Sequence, residues 1–152
     1  MRIRHLYLSP GHNYFGHHGQ PSGNNPIIEA AEIECVAGRG IRGDRFYDYK
    51  ENYKGQITFF AEEIHDALCR EFKLAGKSPA GYRRNVITEG EDLNSLIGQE
   101  FEIQEVRFRG MIECAPCYWM DQAFAPGAEN FLKGRGGLRA AILTDGHLRV
   151  SQ

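Results

Sequence analysis

The residues best suited to chemistry lie in GMIECAPCYWMDQ, residues 110–122, where Cys114 and Cys117 stand three apart around Pro116. The only tryptophan, Trp119, follows two residues later. A pair with this spacing can be half of a structural zinc site, a dithiol redox pair, or the frame for one reactive thiolate. Structural zinc commonly takes two such pairs, or one pair with two histidines. Cys35 and Cys69 are isolated, so no second pair exists. His17 and His18 could complete a set, but adjacent histidines in FGHHGQ read more simply as loop. A thioredoxin-like role needs the motif early in its fold, and only 35 residues follow Cys117. The pattern fits best a single reactive sulfur at Cys117, after a strand and at the start of a helical turn through YWMDQAF. A helix N-terminus there favours the thiolate, the form that ligates soft metals and carries sulfur. Two cysteines packing beneath Trp119 is the structural alternative.

Arginines among glycines suggest what such a sulfur would meet. GRGIRGDR offers Arg39, Arg42 and Arg45; YRRNVITEG places Arg83, Arg84 and Asn85 before a strand; KGRGGLR offers Lys133, Arg135 and Arg139. Guanidinium groups bind phosphate bidentately, and glycines let backbone N–H groups approach an anion. Three such segments converging beside the cysteines would suit an anionic ligand with a phosphate and a soft atom. Two other patterns carry little. AGKS at 75–78 resembles the end of a phosphate-binding loop, but the glycine that motif needs is Glu71. RGD at 42–44 reads as a turn in which Asp44 orients a neighbouring arginine.

These side chains must be positioned by short strands. IRHLYLS, QITFF and NVIT read as strands, and AEIECV alternates with Ala31, Ile33 and Cys35 on one face. AEEIHDALCREF changes period, with Ile64, Leu68 and Phe72 at helical spacing. EDLNSLIG reads as a short helix stopped by Gly98. FEI and VRFRGMI read as two strands across a weak Gln104-Glu105 turn signal, and LRAAILTDGHLRV as a hairpin around Asp145-Gly146. Eighteen glycines between short segments favour turns over long helices. The expectation is one mainly β domain over 1–152, a β-barrel or barrel-like α+β domain of about seven strands with one or two short helices, and a Gly/His-rich loop at 9–26.

A length of 152 residues suits one domain with a real core. The net charge of −2 provides no broad field for a polyanion, so no nucleic-acid role is expected. No apolar run is long enough to span a bilayer, the N-terminus lacks a secretory apolar region, and four cysteines make no disulfide framework, so a cytoplasmic location with no membrane partner is expected.

Taken in order, GIRGDR, GQITFF, RRNVITEGEDLNSLIGQEFEI, ECAPC and GRGGLRAAIL with GHLRV resemble the MOSC domain, found in molybdenum cofactor sulfurases and amidoxime-reducing molybdenum enzymes. The likeness runs from about residue 27 to 152 and implies a small bacterial single-domain member with a distorted β-barrel. It implies binding of the molybdenum cofactor (molybdopterin), with Cys117 as molybdenum ligand or as carrier of a persulfide. It also implies that Arg83 and Asn85 contact the pterin phosphate, and that Ala115 and Pro116 flank the ligating cysteine. Arg42, Asp44 and Arg45 match a further cofactor-binding segment, and Arg135 and Arg139 a recurrent glycine-arginine loop. Activity would be two-electron reduction of an N-hydroxylated small-molecule substrate, or sulfuration of the cofactor. Partners would be an electron-donor reductase, or a cysteine desulfurase with an apo-molybdoenzyme, because no flavin, haem, iron–sulfur or pyridoxal-phosphate lyase motif occurs in these residues. The alternatives are a non-catalytic cofactor carrier or insertion factor, and a zinc or thiol-redox interaction module using Cys114 and Cys117 alike. The resemblance implies no role for the histidine loop, which reads as a flexible loop; the alternative is that His17 or His18 lines the cofactor mouth and supplies a proton.

Overall fold

A computed structural model describes residues 1–152. Its strands are β1 (Arg2–Leu8), β2 (Ile28–Ala30), β3 (Glu32–Val36), β4 (Gly40–Ile41), β5 (Ile57–Ala61), β6 (Val86–Glu89), β7 (Glu100–Ile103), β8 (Val106–Glu113), β9 (Leu138–Ile142) and β10 (Gly146–Arg149). The helices are α1 (Glu62–Phe72), α2 (Trp119–Ala123) and α3 (Ala128–Leu132). Seven strands form one curled sheet in the order β2-β1-β6-β5-β9-β8-β7, and β10-β3-β4 form a second sheet that closes over it. The protein is mainly β, a half-barrel with few short helices.

Strand alternation divides the apolar residues between two cores. On β5, Phe59 points into the barrel and Phe60 outward; Leu6 and Tyr7 on β1, and Val86 and Ile87 on β6, divide in the same way. Inside, Phe59 meets Phe101 and Phe108 at ring distances of 5.7 and 5.5 Å, with Ile33 and Cys35 contributed by β3. Outside, Phe60, Tyr82 and Phe124 stack in series at 3.9 and 4.2 Å, and α1 lays Leu68 against them. All three helices pack into this outer cluster, and α2 also lends Trp119 and Met120 to the wall of a cavity.

Several local expectations change in the structure. The hairpin around Asp145-Gly146 does not form: β9 pairs with β5 and β8, whereas β10 pairs with β3. The turn instead carries the chain from one sheet to the other. Asp145 accepts from Ala37 N at 2.8 Å, and a Cβ on Gly146 would lie 2.6 Å from Val106 Cγ2. The strands across Gln104-Glu105 do pair, with both turn residues at positive φ and the Gln104 side chain bonded to both backbone groups of Arg149. EDLNSLIG makes a 3-10 turn at Leu93–Leu96, not an α-helix, with Asp92 accepting from Asn94 N.

Candidate functional site

A cavity of about 410 Å³ opens at the rim between the loop before β2, the segment after β4 and the chain between β8 and α2. It gathers Cys114, Ala115 and Cys117 with Arg45, Arg83, Arg84 and Arg139. The three glycine-arginine segments therefore do converge, although each contributes only part of what its sequence offers.

Arg83 follows a 3-10 turn at Pro79–Tyr82 that Ser78 caps by accepting from Ala80 N. Its own φ is 57°, a left-handed conformation held by Arg83 N donating to Ala80 O at 2.9 Å. Nη2 donates to Gly11 O at 2.6 Å, while Nη1 is buried with no partner. Burial, and then neighbouring Arg45, lower its pKa to about 10. Burial likewise lowers the pKa of Arg45, with Asp44 opposing and Arg84 adding to the effect. Arg45 also lies over the Phe46 ring at 4.6 Å. On β9, burial opposes the charge of Arg139, but the sulfur of Cys114 beside it raises the pKa overall. The cavity thus concentrates buried positive charge, of which the protein itself pairs Arg45 with Asp44 at 3.5 Å.

Arg84 serves the walls. Nε donates to Gly136 O, Nη1 to Tyr82 O and Nη2 to Cys114 O, at 3.2, 2.8 and 3.2 Å. One guanidinium thus fixes the cysteine segment against the KGRGG loop. Pro116 packs at the same seam, its Cδ 2.9 Å from where a Cβ on Gly136 would lie. Cys117 is half-buried, two residues ahead of the five-residue α2, with Met120 N donating to its carbonyl. Cys114 is 5% exposed, and all four cysteines are free thiols.

Asn85, Asp44, Arg42 and Arg135 lie elsewhere. Asn85 is 3% exposed, and its amide accepts from Thr58 N and Oγ1 and donates to Tyr7 O and Asp44 Oδ1. Asp44 also accepts from Ser9 N and Phe46 N. The two fasten the loop bearing Arg45 to the barrel from behind the cavity wall. Arg42 is ion-paired with Glu34 on the surface, and Arg135 stacks on Phe131 while donating to its carbonyl.

The Gly/His-rich segment forms one wall of the cavity. Tyr14 stacks on Trp119 at 5.1 Å and 15°, His18 meets Tyr118 edge-on at 5.4 Å, and Gly19 N donates to Tyr118 Oη. His17 is turned back, its Nδ1 bonded to Pro21 O. His12 lines the cavity with its Nδ1 buried and unpartnered. It sits at the end of an aromatic run, Phe46, Tyr49 and Tyr53, that no periodicity announces. No group of three or more His, Cys, Asp or Glu side chains gathers in a geometry that could hold a metal, so the zinc alternative has no complete ligand set.

The MOSC domain model matches residues 17–152, beginning ten residues before the resemblance drawn from the motifs. The chain belongs to the MOSC domain family. No curated protein matches it. Its fold is similar to the crystal structure of YuaD from Bacillus subtilis, with a TM-score of 0.76 at 15% identity over 99% of this chain and 91% of that one. YiiM from Geobacillus stearothermophilus gives 0.70 at 11% identity, covering 99% of this chain and 71% of that one. YiiM from Escherichia coli gives 0.66 at 17% identity, covering 98% and 66%, so this MOSC chain spans about two thirds of that protein. No helix of the MOSC chain is long and apolar enough to cross a membrane.

Proposed function

We propose that the cavity binds the molybdenum cofactor, with the Cys117 thiolate as the protein's ligand to molybdenum. The observation that carries the proposal is the meeting of a half-buried thiol with four arginines in one cavity, one of them holding a buried nitrogen that no protein atom satisfies. The residues fit the group. A soft sulfur suits molybdenum, guanidinium groups suit the phosphate, and Tyr14, braced on the buried Trp119, gives the cavity an aromatic wall beside them. The volume lies within the range of small-molecule sites.

When bound, the cofactor supplies two-electron redox chemistry. The chain supplies the rest. Arg83 and Arg45 hold the phosphate; Arg139 and Cys114 form the back wall; Arg84, Asn85 and Asp44 keep these side chains in place. In the reaction we favour, an N-hydroxylated substrate takes up two electrons and two protons, its N–O bond breaks, and water leaves. The electrons come from a separate reductase. A second reading, favoured by two free thiols in one cavity, is sulfur carriage by a persulfide on Cys117, loaded by a cysteine desulfurase.

The test is the metal and pterin content of protein purified from a molybdenum-replete host, for wild type and Cys117→Ala. Molybdenum and pterin in comparable amounts, lost in the variant, support the cofactor site. A persulfide on Cys117 without pterin supports sulfur carriage. Zinc without pterin contradicts both.

A further inference from the structure

Two side chains of the cavity each keep one buried nitrogen without a partner: Nη1 of Arg83 and Nδ1 of His12. They are two of only four such side-chain atoms in the protein, so unmet hydrogen-bonding capacity is concentrated here. Buried polar atoms are nearly always paired, and two unpaired nitrogens in one arginine-rich cavity point to an acceptor that the protein itself does not supply.

The two residues are held in register by the chain. Gly11, next to His12, accepts from Arg83 Nη2 at 2.6 Å, and the His12 carbonyl accepts from Asn25 Nδ2 at 3.1 Å. The imidazole is wedged against Phe15 and Phe46, each 5.2 Å away. Burial, and then Arg45 and Arg83, hold its pKa below the ordinary histidine value. The ring is therefore neutral at pH 7 and carries a single N–H. Asp44 opposes that shift, but its oxygens are engaged by Ser9 N, Asn85 Nδ2 and Phe46 N.

We infer that His12, in the tautomer bearing its proton on Nδ1, is a positioning residue for a phosphomonoester group held between it, Arg83 and Arg45. This rests on the anionic-ligand reading above and adds to it a neutral donor from the 9–26 loop. Tyr14, two residues beyond His12, stacks directly on Trp119 and so joins this loop to α2.

The experiment is a titration with orthophosphate, read by the emission of Trp119, the only tryptophan and a cavity-wall residue. Wild type is compared with His12→Phe, which keeps a ring among the aromatics, and His12→Asn, which returns a donor close to the place of Nδ1. Wild type gives a saturable response. His12→Phe binds about tenfold more weakly, the loss of one hydrogen bond to a charged group. His12→Asn recovers affinity to within about threefold of wild type. Equal affinities for wild type and His12→Phe overturn the inference, as does an Asn variant no better than the Phe variant. The titration needs neither Cys117 nor molybdenum, so protein that purifies without metal or pterin yet gives this series sinks the cofactor reading and keeps the phosphate site. In cofactor-loaded protein, loss of the orthophosphate response identifies the cofactor's own phosphate as the occupant, and a persisting response identifies a separate phosphorylated ligand.

Discussion

A Cβ on Gly136 would lie 2.3 Å from the carbonyl oxygen of Cys114. The KGRGG loop and the cysteine segment are thus pressed backbone to backbone, with the Arg84 guanidinium bonding both carbonyls. The position of the two sulfurs depends on a residue with no side chain. Gly136→Ala forces the backbones apart and should cost about 1–3 kcal/mol as an overpacking strain. Thermal unfolding should shift down by on the order of 5 °C. An unchanged melting temperature would show that the seam can relax.

Asn85 tests the difference between holding a ligand and holding the wall. Its amide makes four buried hydrogen bonds to three other segments. Asn85→Ala strands those partners, each at about 1–3 kcal/mol where water cannot reach it, so a total loss near 3 kcal/mol is expected in urea unfolding. A variant with native stability but without phosphate binding would instead make Asn85 a direct ligand.

Stability should depend on pH through His12. Its folded pKa lies below its unfolded value, owing to burial and then Arg45 and Arg83. Between the two values the unfolded chain binds more protons, so stability rises with pH across that window. This contribution is fully present above the unfolded pKa of about 6.5 and is lost as pH falls through the lower folded value. The melting temperature should therefore drop from pH 7.5 to pH 5.5 by more in wild type than in His12→Phe. Equal drops would exclude His12 as the source.

The four thiols should separate by accessibility. Cys35 is fully buried in the barrel, with its pKa pushed up to about 12 by burial and then Glu34. Burial, then Asp66, also raises the pKa of Cys69 on α1. Cys117 is half-buried at the cavity wall, whereas Cys114 is nearly enclosed. A small alkylating reagent on native protein should label Cys117 first and Cys35 only on unfolding, as read by peptide mass spectrometry. Early labelling of Cys35 would contradict the barrel core.

What the sequence disclosed follows from how each signal arises. Alternation at Ile33 and Cys35, and helical spacing at Ile64, Leu68 and Phe72, record contact with a sheet or core, and the structure buries or partly buries these residues. The convergence of Arg45, Arg83 and Arg139 on the cysteines is legible only from three glycine-arginine segments taken together, since any one alone reads as a solvated loop. The same composition could not separate Arg45 from Arg42 or Arg139 from Arg135. That distinction depends on which residue finds Glu34 or the Phe131 ring nearby. His12 and Tyr14 lie in an irregular segment without periodicity, and only the folded chain brings them opposite Trp119. The Asp145-Gly146 turn was recognisable as a turn, but its strands join different sheets because their partners lie far away in sequence.

We propose that the two cysteines are not equivalent, with the half-buried Cys117 turned to the ligand and Cys114, enclosed beside Arg139, part of the wall. The direct measurement is molybdenum and pterin retained by Cys117→Ser and by Cys114→Ser, purified side by side with wild type. Cys117→Ser should lose both, while Cys114→Ser keeps most of each. Equal loss from the two variants would contradict it.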